Sequence, residues 1–144
     1  MSAVSESPGA DRTLEDLLER VKGLSGPDRE TDAELAIALG LPPEGAFRIR
    51  GFTDEAAFGT GPYSYWQCPT LTASLDAVVA LCERVLPGWT FILDTRHCPR
   101  ARMFPPGVVA MPDPITEHGA TLPLALLAAL LEALVKSRSP SLVG

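Results

Sequence analysis

The sequence predicts an α+β fold, with about four helices packed on a small antiparallel sheet of three to four strands in an α/β/α-type sandwich. Three observations carry that expectation. Four segments show helical spacing of apolar residues or a capped apolar run. Three or four short segments alternate or are bounded by turn residues. Their order is α-α-β-loop-α-β-β-β-α, which lacks the regular strand–helix alternation of a parallel α/β chain. The length of 144 residues suits one domain. The expected division is a flexible 1–12, a single domain over 13–137 and a flexible tail over 138–144.

The first helix is expected to begin near Thr13. Leu14, Leu17, Leu18 and Val21 follow the i, i+3, i+4, i+7 rule, Thr13 and Asp16 resemble a capping box, and Gly23 suits a stop. A second helix is expected over 27–39, with Pro27 in its first turn, acids near its start and Gly40 at its end. Residues 47–50 alternate apolar and charged, so Arg48 and Arg50 would share one face of a short strand. Residues 51–70 mix Gly and Pro with Phe52, Phe58, Tyr63, Tyr65 and Trp66, which reads as a long loop or an irregular hairpin.

Ser74 is placed to cap a third helix running to Leu86, stopped by Pro87 and Gly88. Residues 89–94 alternate, with Trp89, Phe91 and Leu93 on the inner face. Residues 104–107, Phe-Pro-Pro-Gly, read as a turn between strands near 100–104 and 107–112. The last helix is expected over 122–136, capped by Thr121. Only Glu132 is charged within 122–135, so this helix must be covered on most sides. Either a central place in the domain or a homo-oligomer interface through 122–135 would cover it. At 1.5 Å per residue these fourteen residues span only about 21 Å, short of a bilayer, so no membrane partner is expected.

Charge narrows the function classes. Twelve basic and 18 acidic residues leave a net charge of −6, which argues against coating of extended nucleic acid. Residues 1–40 carry 9 acidic and 4 basic groups, whereas 95–144 carry 3 and 5. Cys68, Cys82 and Cys98 form no CxxC pair, and the start lacks a secretory pattern, which together predict reduced thiols in a cytoplasm. No phosphate-loop, dinucleotide, zinc-protease or nucleophile-elbow motif is present. The sequence therefore implies no cofactor, no metal and no enzyme. Asp76 and Asp94 are the carboxylates suited to acid–base work, and neither has an evident partner. His97 and Cys98 are adjacent and would point to opposite faces of a strand.

The strongest positive signal is a cationic run, Arg96, His97, Arg100 and Arg102. Guanidinium groups bind phosphate or carboxylate through paired planar bonds. If the strand of Arg48 and Arg50 neighbours that of Arg100 and Arg102, four guanidiniums would converge. Tyr63, Tyr65 and Trp66 could then stack on a base. The competing reading makes these arginines a solvated sheet face and the tryptophans core.

Three segments resemble one family. Residues 26–40 (Gly-Pro-Asp-Arg-Glu-Thr-Asp-Ala-Glu-Leu-Ala-Ile-Ala-Leu-Gly), residues 70–77 (Thr-Leu-Thr-Ala-Ser-Leu-Asp-Ala) followed by Pro-Gly-Trp at 87–89, and residues 119–130 (Gly-Ala-Thr-Leu-Pro-Leu-Ala-Leu-Leu-Ala-Ala-Leu) are similar, in that order, to small phage and prophage proteins of the phage ABA-sandwich domain family. The resemblance spans most of 14–135 and departs in the longer loop at 51–69. It implies a sandwich of helices and sheet, a phage origin, residence in the bacterial cytoplasm and no established catalytic residues. The reading that follows is a binding protein for an anionic, nucleotide-like small molecule, such as a host immune signal. The alternative is a protein-interaction module that inhibits a host factor through its acidic helices.

Overall fold

A computed structural model describes residues 9–49, 56–107 and 115–137. It contains four helices and two three-stranded antiparallel sheets, in line with the expected α+β class. The helices are α1 (Gly9–Gly23), α2 (Arg29–Ala38), α3 (Leu75–Val85) and α4 (Leu122–Ser137). The first sheet joins β1 (Phe47–Arg48), β2 (Ala57–Gly61) and β3 (Ser64–Gln67) in chain order. The second joins β4 (Thr90–Asp94), β5 (Arg100–Phe104) and β6 (Ile115–His118), with β5 in the middle.

Helix α4 lies at the centre. Every residue from 124 to 131 is fully buried, as is Ala133. It packs against α1, α3, β5 and β6, so its apolar circumference is covered by elements of the same chain. Of the two ways to cover it, the structure uses the central position, and the buried residues of 122–135 offer no face to a second copy. Inward-facing Phe91, Leu93, Ala101, Met103 and Ile115 of the second sheet complete that wall. On the opposite side α1 contributes Leu14, Leu17 and Val21, the stripe that its spacing predicts. No described helix is long and apolar enough to cross a membrane.

Helix ends follow side-chain chemistry. The Asp28 carboxylate accepts from the Thr31 amide at 3.1 Å, so Asp28 caps α2 and Pro27 lies just outside it. At the other end Gly40 takes φ +70°, the Leu41 amide donates to the Ala36 carbonyl at 2.9 Å, and the Gly40 amide donates to Ile37 at 3.2 Å. This is a Schellman stop. Ser74 caps α3 by accepting from the Ala77 amide at 3.2 Å. Thr121 accepts from the Leu124 amide at 3.4 Å at the head of α4.

Helix α1 begins at Gly9, four residues before the expected start, so Thr13 is an interior position of the helix. Ala10 and Arg12 are good helix formers, and their preference extends the helix beyond the capping-box pattern. The segment 51–70 contains the irregular hairpin of the two alternatives: Phe58 pairs with Trp66 and Gly59 with Tyr65, with a register shift between Gly59 and Gly61. The strand expected near 107–112 falls almost wholly outside the described residues. Gly107 belongs to the turn, residues 108–112 lie outside the described residues, and the third strand of the sheet is Ile115–His118.

Helix α2 is fastened by a buried carboxylate. Asp32 has no exposure and accepts from the amide and hydroxyl of Thr72, both at 2.8 Å, and from Arg29 at 2.9 Å. Arg29 also donates to the Cys68 and Pro69 carbonyls at 3.2 Å. A buried carboxylate is tolerated when charge and hydrogen bonds are both supplied, as they are at Asp32. Truncating Leu127 to Ala inside this core removes buried methyl groups and leaves a cavity. Urea unfolding should register a loss of about 2–5 kcal/mol. A loss below about 1 kcal/mol would contradict the central placement of α4.

Candidate functional site

The expected site residues divide between the two sheets. On the first sheet, antiparallel register sets Arg48, Phe58 and Trp66 in one row and Phe47, Gly59 and Tyr65 in the next. The first row faces inward. Phe58 is buried, and Trp66 meets it edge to face at 5.2 Å with an 83° angle between the rings. The Arg48 guanidinium lies 5.8 Å from the Phe58 ring and 3.2 Å from Glu30, joining β1 to α2. Arg48 and Trp66 thus do packing work. Tyr63 and Tyr65 point outward, 93% and 62% exposed. Phe47 lies over Gly59, where an added Cβ would come within 2.7 Å of the ring. A hollow of about 330 Å³ beside β3 is lined by Phe58, Tyr65, Trp66 and Cys68 among others.

The second sheet carries the cationic run. Its inner face packs on α4. Its outer face holds Ile92, Arg102 and Thr116 in one row and Asp94, Arg100 and His118 in the next. Arg100 and Arg102 share a face, as the alternation predicts. Arg100 donates to Asp94 at 2.6 Å across the strands. Asp94 also accepts from the Arg96 amide at 2.9 Å, and these two bonds hold its carboxyl below the ordinary range. Those bonds fix the β4–β5 turn through an anionic Asp94. Arg96, His97 and Cys98 lie in the exposed β4–β5 turn. Arg102 makes no ion pair with any described residue.

The strand adjacency that a convergence of four guanidiniums requires is absent among the described strands. Arg48 is on β1, which pairs with β2, whereas Arg100 and Arg102 are on β5, which pairs with β4 and β6. Arg50 lies outside the described residues. The strands therefore fail the condition on which convergence rested. The outward tyrosines belong to the first sheet and the cationic face to the second.

Sequence reasoning missed a carboxyl pair. Glu117 faces inward on β6, with its side chain 12% exposed, and meets Glu132 of α4. Burial, then the hydrogen bond and charge of Glu132, push the Glu117 carboxyl up to about 7, while the same hydrogen bond holds Glu132 below its ordinary value. The available signals were Glu132 as the lone charge in 122–135 and the alternation that places Glu117 with Ile115. Among the described residues no group of three or more His, Cys, Asp or Glu is arranged to hold a metal. Cys68 and Cys82 are buried and Cys98 is exposed.

No protein-family model, curated protein or solved structure matches the chain. The likeness to phage sandwich proteins rests on the three segments alone.

The thiols provide a check on this geometry. Burial pushes Cys82 up to about 12, Cys68 is also buried, and Cys98 is open to solvent. A disulfide reagent at pH 8 should modify one thiol in the native protein and three after denaturation, because the thiolate is the reactive form. Fast modification of two or three native thiols would contradict this placement.

Proposed function

We propose that the protein is a non-catalytic binding protein that captures an anionic, nucleotide-like small molecule on the outer face of β4–β6. The observation that carries this reading is Arg102, a guanidinium without a carboxylate partner among the described residues, beside Arg100 on an open sheet face. Exposed His118 and Thr116 supply hydrogen-bonding groups in the same two rows, and Ile92, 52% exposed, supplies an apolar contact for a ring. Arg96 at the adjacent turn adds a further cation. On an acidic chain, a cationic face of this kind concentrates anions locally. The likeness to phage accessory proteins supports sequestration of a host immune signal in the bacterial cytoplasm as the biological setting. With Tyr63, Tyr65 and Trp66 on the other sheet, base stacking on those rings is no part of the proposal.

Isothermal titration against cyclic and ADP-ribose-type nucleotides tests it. At least one should bind, and Arg102→Ala should weaken it tenfold or more, about 1.4 kcal/mol, with an unchanged circular dichroism spectrum. Silence across the panel, or equal affinity in Arg102→Ala, would overturn the reading. A second reading, inhibition of a host factor through acidic helices, is favoured by exposed Glu15, Asp16 and Glu19 on α1. A stoichiometric, salt-sensitive host protein retained by the intact chain would favour it.

A further inference from the structure

We propose that Glu117 and Glu132 hold a single proton between them and so form a pH-operated latch that fastens β6 to α4. The two carboxyls meet where three elements join. Glu117 comes from β6, Glu132 from the apolar run of α4, and Lys22 of α1 reaches Glu117 at 3.8 Å. Glu132 Oε2 is held by Lys136 at 3.1 Å, one turn on along α4. Glu132 Oε1 is a buried atom to which no donor is otherwise supplied. A protonated Glu117 is the donor that satisfies it. A buried acceptor left without a donor costs more than one hydrogen bond ordinarily contributes, so the geometry favours the neutral acid at Glu117.

The charges around the pair point the same way. A hollow of about 460 Å³ at this junction is lined by Glu15, Asp16, Glu19, Glu117 and Glu132, with Lys22 and Lys136 as its cations. Five carboxyls face two ammonium groups. Lys22 is shared with Glu19 on its own helix at 3.9 Å. The lysines therefore do not neutralise two adjacent, partly buried carboxylates, and one proton relieves the repulsion. Because the hollow opens to solvent, the proton exchanges freely with the medium. His118 is next in sequence but points to the opposite face of β6 and takes no part.

The sign of the effect follows from linkage. Glu117 is raised to about 7 in the folded protein from an ordinary value of 4.5. Between those values the folded protein keeps a proton that the unfolded chain has released. Its contribution to stability is whole below 4.5, is lost as pH rises toward 7, and changes no further above that. Glu132, lowered, acts in the opposite sense and only below 4.5. The latch is therefore closed in mildly acidic medium and released above neutrality, where Glu117 and Glu132 both carry charge.

The decisive measurement is carboxyl-carbon NMR titration of the full chain from pH 3 to 9. One of the pair should titrate near 7 and the other below the ordinary carboxylate range. Ordinary titration of both would overturn the proposal. Glu117→Gln supplies a donor to Glu132 at every pH. Its melting temperature should fall less between pH 5 and pH 8 than that of the parent protein, and above pH 7 it should be the more stable of the two. Parallel melting profiles would count against the latch. If the variant fails to fold, the titration of the parent protein decides alone.

Discussion

A helix with no polar side cannot be left half covered, and α4 imposes that requirement on everything around it. Residues 124–131 are buried on all sides, so α1 and α3 must flank the helix and the β4–β6 sheet must close the remaining face. The entry to the helix is correspondingly tight. An added Cβ at Gly119 would come within 2.6 Å of the Ala125 amide nitrogen, so no other residue fits there without moving backbone. The same enclosure gives Glu132 its character. A lone carboxylate on such a helix has few possible partners, and the neighbour supplied by β6 is another acid.

A second anchor lies on the far side of α2. Asp32, Arg29 and Thr72 bind that helix to the segment leading into α3, and Arg48 binds β1 back to Glu30. Arg20 pairs with Glu34 across α1 and α2. Much of the acidic character of residues 28–34 is thus spent within the molecule. On α1 the rim of Glu15, Asp16 and Glu19 stays outward. The cationic character is outward on the second sheet. The overall charge conceals this division, since an acidic total coexists with an arginine-bearing face.

Local chemistry was legible in the sequence and long-range choice was not. Ser74 and Thr121 cap the helices that follow them, Leu14, Leu17 and Val21 face the core, and Arg100 and Arg102 share a face, each because neighbours within a few residues decide it. Thr13 misled because a capping pattern can occur inside a helix whose upstream residues also favour that conformation. The strand at Ile115–His118 was missed because its four residues give little periodicity. Strand partnership is a choice among distant segments, so nothing near Arg48 showed that β1 would pair away from β5. The meeting of Glu117 and Glu132 likewise depends on how a strand folds back on a helix that begins four residues later.

The two sheets also differ in chromophore. Trp66 sits edge-on to Phe58 in the first, and Trp89 packs against the core immediately before β4 of the second. Each layer thus holds its own indole in its own surroundings. Replacing either with Phe would leave a fluorescence signal confined to one half, from which one could learn whether the halves melt as a unit or in succession.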